Sequence, residues 1–229
     1  MATHRFIPQS QKWKDARLNC VTATEIASLF GLNPNKSANM VSKDKKEPPV
    51  HRDNIYMKIG RYLEPSVFIA MAEHGMPAEP ADPKHVVFIT HDEYPIGASM
   101  DGKMSVEEGF YIVEAKTTIN PNKFNEWKNL PPIGYWLQLQ TQLLVAKQTK
   151  GLLACLFHGL PMPLVVYEIQ ANKELHQLIE FTVNIFWDCH KSGNKYTVNK
   201  DVKARILQIF EESLANGTLN QIFVDNSEL

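Results

Sequence analysis

Apolar and polar positions along the chain switch between the 3.6-residue repeat of a helix and the two-residue repeat of a strand. Thr22-Ala-Thr-Glu25 reads as a capping box opening a helix that stops at Gly31. A second helix is predicted from Asn54 to His74, closed by Gly75 and Pro77. Between them, the polar, proline-bounded residues 33–50 predict a mobile basic loop carrying Lys43, Lys45 and Lys46. Extended runs follow at His85–Thr90 and Pro95–Ser99, leading into a turn at Asp101-Gly102. Phe110–Thr117 is apolar on both faces, as a central strand covered on both sides should be. Tyr135–Ala146 reads as an apolar helix studded with glutamines, and Leu152–Phe157 and Leu164–Ile169 as a hairpin. Helices at Lys173–Lys191 and Asp201–Ala215 close the chain. This order predicts an α/β (α+β) fold, a mixed sheet flanked by helices, in a single domain over residues 1–229.

Composition narrows the class. The 229 residues are 44% hydrophobic and 21% charged, enough to build a full-sized core. Lys and Arg number 24 against 25 Asp and Glu, so a wholly basic nucleic-acid wrapper is excluded while a local basic patch is not. Residues 1–50 carry 8 basic against 4 acidic side chains, and residues 211–229 read as an acidic solvated tail. No apolar run approaches the ~18 residues of a membrane span, and Met-Ala-Thr-His-Arg lacks a signal-peptide core, so no membrane partner is expected. Three isolated cysteines, Cys20, Cys155 and Cys189, build no zinc ribbon or iron–sulfur site and suit a reducing, cytoplasmic setting. The eight histidines show no paired ligand spacing, so a zinc mechanism is unsupported.

The chemistry concentrates in Asp101-Gly102 and Glu114-Ala115-Lys116. Alternation puts Ile112, Glu114 and Lys116 on one face of a strand that otherwise reads as buried. Buried charge is costly unless it is paired or binds metal. If the two strands pair, Asp101 comes alongside Glu114. Asp101, Glu114 and the backbone carbonyl of Ala115 then form an oxygen donor set suited to Mg²⁺, beside a lysine able to orient or deprotonate water. On spacing alone, an Asp turn with a Glu–Lys pair on an edge strand fits equally well; the apolar flanks of Glu114 weigh against it.

Five patches together resemble the lambda exonuclease family, the YqaJ-type viral recombinases of the PD-(D/E)xK nuclease superfamily. They are Trp13-x₃-Arg17-Leu18 with Val21-Thr-Ala-Thr-Glu25; Gly60-x₃-Glu64-Pro65; Ala98-Ser-Met-Asp101-Gly102, with Met100 where the family has proline; Glu114-x-Lys116; and Tyr135-x₂-Gln138-x-Gln140. The resemblance covers roughly residues 13–145 and implies a restriction-endonuclease-like core. It implies one or two Mg²⁺ ions, with Mn²⁺ as a substitute, held by Asp101, Glu114, the Ala115 carbonyl and Glu64, the last through water. By the same resemblance Lys116 is the catalytic lysine, Gln138 reaches the site, and Arg17, Thr24 and Ser99 hold a DNA 5′-phosphate. Met57 stands where the family places a strand-separating wedge. Tyr135, Lys43, Lys45 and Lys46 are further candidate DNA contacts, while Gln142 reads as part of an exposed polar stripe.

The activity implied is 5′-to-3′ degradation of linear double-stranded DNA by a ring-shaped homotrimer. Its product, a 3′ single strand, would pass to a phage-type single-strand annealing protein in a bacterial host. A restriction or repair endonuclease on the same core, and a non-catalytic DNA-end-binding scaffold, stay open at this point.

Overall fold

The computed structural model describes residues 1–47, 55–120, 122–159 and 162–225. In chain order the elements are β1 (Ala2–Phe6), α1 (Gln11–Leu18), β2 (Val21–Thr22), a 3₁₀ turn (Ala23–Glu25) running into α2 (Ile26–Leu29), α3 (Ala38–Lys46) and α4 (Ile55–Glu73). Then come β3 (Glu79–Pro80), β4 (Val86–Thr90), β5 (Ile96–Ser99), β6 (Gly102–Val106), β7 (Gly109–Thr118), α5 (Asn122–Trp127) and α6 (Ile133–Ala146). The chain ends with β8 (Lys150–Phe157), β9 (Leu164–Gln170), α7 (Lys173–Ser192), α8 (Lys200–Ala215) and β10 (Leu219–Val224).

The strands form two sheets rather than one, ordered β1-β4-β5-β2 and β10-β9-β8-β7-β6-β3. β7 pairs antiparallel with β6 and parallel with β8, which makes the larger sheet mixed. Its alternation separates two apolar layers, as the sequence pattern requires. Val113 and Ala115 face Val67, Phe68 and Met71 of α4, whereas Ile112 belongs to the larger core built with α2, α6 and α7. Asp101 occupies the short link between β5 of the smaller sheet and β6 of the larger, so the junction of the two sheets lies at the carboxylates.

Local signals explain most elements. Gly31 takes φ +64 and the chain turns out of α2 with Leu32 N–H on the Ala27 carbonyl, 2.8 Å. The Thr22 N–H donates to the Glu25 carboxylate at 3.0 Å, the reach-back of the expected capping box.

Two expectations need correction. The basic stretch expected as a mobile loop contains helix α3: Ser37 caps it by accepting from Met40 N–H at 3.3 Å, and Ala38 and Val41 anchor it in the core. Its apolar anchors are only two among many polar residues, too few to give a periodic signal; residues 48–50 of that stretch lie outside the described residues. The acidic C-terminal stretch is not a plain tail, because β10 pairs antiparallel with β9. The N-terminal elements β1 and α1 were not legible either. Cys20 and Cys155 are buried and Cys189 is half-buried, all as free thiols. Among the described residues, no helix is long and apolar enough to cross a membrane.

Gly102 follows Asp101 directly, and a Cβ built there would lie 2.5 Å from the Glu79 carbonyl oxygen and against the Phe68 ring. Gly102→Ala is expected to destabilise the protein by about 1–3 kcal/mol through overpacking, read as a lowered urea midpoint at unchanged m-value.

Candidate active site

The β6–β7 hairpin stays in register only as far as Gly102 opposite Val113. Beyond it, β7 continues beside β8 alone, with Ala115 opposite Ala154 and Lys116 opposite Cys155. N–H and C=O of one strand residue point to the same side, so those of Ala115 face the edge that β6 has vacated. Asp101 takes that place: its Oδ2 accepts from the Ala115 N–H at 3.0 Å. The Ala115 carbonyl lies on the same open edge, next to the Asp101 carboxylate. Strand pairing thus stops where two hard oxygen donors meet.

Glu114, one residue earlier, points to the other side of β7 and is fully buried. Its Oε1 accepts from the Lys116 ammonium and the Gln138 amide, and its Oε2 from the Gln142 amide. Gln138 and Gln142 stand one turn apart on α6 and are both buried. The expectation of an exposed stripe at Gln142 is therefore corrected: it is 1% exposed and also donates to the Ser99 carbonyl at 2.9 Å. The signal that could have found it is a glutamine inside an otherwise Leu- and Val-lined helix, since a buried amide needs partners.

Electrostatics mark the cluster as short of positive charge. Desolvation, with repulsion from Glu114 and Glu64, pushes the Asp101 carboxyl well above its usual range, against the pull of Lys116 and the Ala115 N–H. Glu64 is raised by burial and by Glu114. Burial alone would lower Lys116, but Glu114 and Asp101 more than offset it and keep the side chain an ammonium. Glu64, Asp101 and Glu114 thus repel one another in a buried site, and a cation held among them would relieve that repulsion. No three His, Cys, Asp or Glu side chains stand together as a ready cage among the described residues. Mg²⁺ is commonly held by one or two carboxylates with waters and substrate phosphate rather than by an all-protein cage. The donor set present fits such an ion.

A pocket of about 160 Å³ brings the cluster together with Arg17, Thr24 and Ser99 as well as Glu64 and Gln138. Arg17 is placed by α1: the Trp13 ring, one turn earlier, lies 4.8 Å from its guanidinium carbon. The Thr22 hydroxyl donates to Glu25 at 2.9 Å and so accepts from the Thr24 hydroxyl, 3.0 Å away. Thr24 must rotate its proton away from Thr22 before it can donate to an anion.

The remaining candidates lie elsewhere. Lys45 is not available to DNA: its side chain is 4% exposed, donating to Glu25 at 2.7 Å and to the Arg17 carbonyl at 2.8 Å. Lys43 and Lys46 are exposed on α3, and Met57 is 41% exposed on α4. Tyr135 lines an adjoining cleft of about 650 Å³ that shares Thr24, Lys116 and Gln138 with the smaller pocket, and the Lys116 ammonium lies 5.0 Å from its ring centre.

A central mixed sheet, an acidic residue at the start of a hairpin and Glu-x-Lys on the strand it leads to define the PD-(D/E)xK class. The fold is shared with an alkaline exonuclease from Laribacter hongkongensis, at TM-score 0.63 and 20% identity over 89% of this chain and 98% of that one. Its complex with dAMP superimposes equally well, at TM-score 0.62, 20% identity and the same coverage. A phage-related exonuclease from Haemophilus somnus 129PT gives TM-score 0.57 and 13% identity over 76% of this chain and 94% of that one. Residues 12–149 match the YqaJ-like viral recombinase domain, and the chain belongs to that family. No curated protein matches the sequence. Family and fold together support a nuclease.

The Lys45–Glu25 pair yields a pH prediction. Burial would raise the Glu25 carboxyl, but Lys45, the Thr22 N–H and Lys36 hold it below its usual 4.5. A depressed carboxylate stabilises the fold above its unfolded pKa, and that contribution is lost as pH falls through the folded value. Lys45→Met leaves Glu25 only Lys36 at 3.6 Å and the Thr22 donors, and is expected to cost about 3 kcal/mol at pH 7. The gap from wild type should shrink as pH falls, because burial makes Glu25 take up its proton earlier in the variant than in wild type, as measured by chemical denaturation across pH.

Proposed function

We propose that the protein is a Mg²⁺-dependent nuclease, with Mn²⁺ as a substitute, that degrades linear double-stranded DNA 5′ to 3′ and leaves a 3′ single strand for recombination by annealing. One observation carries this reading: a single pocket holds both a guanidinium-and-hydroxyl donor set and the carboxylate–lysine cluster. A guanidinium fork with hydroxyls suits a terminal phosphate dianion.

In this reading Arg17, Thr24 and Ser99 seat the 5′-phosphate, and the next phosphodiester falls beside Asp101 and Glu114. Asp101, Glu114 and the Ala115 carbonyl, with Glu64 through water, would hold a divalent ion, which when bound would supply Lewis-acid polarisation of the scissile phosphate. The Lys116 ammonium orients the attacking water and balances charge growing on the phosphate oxygens. Gln138 holds Glu114 from the pocket side, and the remaining strand leaves through the cleft past Tyr135. Met57, Lys43 and Lys46 meet the duplex, where lysines add affinity without sequence preference. A ring of three copies and a phage-type annealing protein as partner belong to the same reading.

Incubation with Mg²⁺ and linear duplex bearing 5′-phosphates, beside closed circular DNA, tests it. Release of mononucleotides from the linear 5′ strand alone, stopped by EDTA, is expected; nicking of the circle would favour an endonuclease. Lys116→Ala is expected to lose at least about 10³-fold in cleavage rate while still binding DNA ends in a gel-shift assay, since it removes a preorganised transition-state charge. Arg17→Ala should raise KM for 5′-phosphorylated ends by roughly 10- to 100-fold and leave 5′-hydroxyl ends nearly unaffected, as expected for a lost charge-assisted hydrogen bond.

A further inference from the structure

Glu114 is gripped from two directions. Gln138 lines the pocket, whereas Gln142 does not, so Gln142 reaches the carboxylate from behind. Its amide nitrogen donates to Glu114 Oε2 and, at 2.9 Å, to the Ser99 carbonyl. Both partners only accept, which forces the orientation of the amide; the flipped form would set an oxygen against a carbonyl and a carboxylate. The amide oxygen that results is buried with no hydrogen-bond partner among the described residues. A buried polar atom left without a partner is unfavourable, so the side chain is kept for what its nitrogen does.

That nitrogen joins two strands that do not pair. Ser99 ends β5 in the smaller sheet, two residues before Asp101, and Glu114 lies in β7 of the larger sheet. The spacing of the two carboxylates rests on the Asp101–Ala115 hydrogen bond on one side of β7 and on the Gln142 bridge on the other. We propose that Gln142 is a positioning residue that sets the Glu114 carboxylate at its working distance from Asp101 and thereby supports divalent-cation affinity. This rests on the reading of the cluster as a cation site.

Residues that orient metal ligands typically change metal affinity by 10- to 100-fold when removed. Gln142→Met keeps the volume and removes both donors. In calorimetric titration of DNA-free protein with Mn²⁺, it should bind roughly 10- to 100-fold more weakly than wild type. The Mg²⁺ concentration for half-maximal cleavage should rise by a similar factor, with KM for DNA unchanged and kcat restored at high Mg²⁺. A purely packing role would lower the thermal midpoint and leave Mn²⁺ affinity alone, and that result overturns the inference. Gln142→Asn, which keeps the amide but withdraws it by one methylene, should shift Mn²⁺ affinity the same way and serves if the methionine variant does not fold. Wild-type protein that takes up no divalent ion overturns the cation-site reading and this inference together. Equal affinity in wild type and variants overturns this inference alone.

Discussion

A carboxylate buried completely in the central strand of a sheet is the constraint around which this molecule is organised. An ionised carboxylate in an apolar interior is prohibitively unfavourable unless donors surround it. Glu114 meets that condition with Lys116 from its own strand face and with Gln138 and Gln142 from the helix packed over it. The helix therefore cannot be apolar all round, although it lies in the core. Its glutamines are the counterpart of the strand's charge, and neither side would be tolerable alone. The Gln140 amide, on another face of the same helix, is spent on holding the Gln170 carbonyl at 2.7 Å, with its oxygen taking the Asn172 N–H. The three glutamines thus serve two separate tasks.

The Arg17 side of the pocket solves a similar problem with a second buried carboxylate. Glu25 closes the turn that leads into α2, and it is drawn into a network with Lys45, Lys36 and Thr22. Lys45 also holds the backbone carbonyl of Arg17. The backbone that carries the guanidinium is fixed while the guanidinium itself stacks on Trp13 and lines the pocket. A lysine consumed inside this network cannot also grip DNA, and α3 divides its basic residues accordingly, Lys45 inward and Lys43 and Lys46 outward.

What the sequence disclosed follows from how strongly each element repeats. β7 and α6 were readable because their apolar periods are long and uninterrupted, and the two helices bounded by Gly31 and by Gly75 because their stops are sharp. Helix α3 hides behind a polar composition with two apolar anchors, and β10 behind an acidic surrounding segment. The division into two sheets was not legible at all, since β5 and β6 are separated only by Met100 and Asp101 and nothing local says that pairing changes partner there. For the candidate site, Asp101, Glu114 and Lys116 stood out as charges in an apolar setting, and Arg17, Thr24, Ser99 and Glu64 only through family resemblance. Gln142 was missed because a polar residue on a helix reads as exposed until its neighbours are known. Lys45 was misplaced because a lysine run gives no hint of which member turns inward.

The break between the sheets links these features. Had β6 continued alongside β7 past Val113, strand hydrogen bonds would have covered the Ala115 carbonyl, and Asp101 would have stood a strand away from the edge it now occupies. The early end of the hairpin register exposes a backbone oxygen and brings a carboxylate to its side, in one pocket with Glu114. The defect in the sheet is thus the condition for a hard-donor site. Once the backbone no longer sets the distance between β5 and β7, side chains must do so. A buried glutamine whose oxygen finds no partner among the described residues is tolerated behind Glu114 because its nitrogen adds a second tie between β5 and β7 beside the Asp101–Ala115 hydrogen bond.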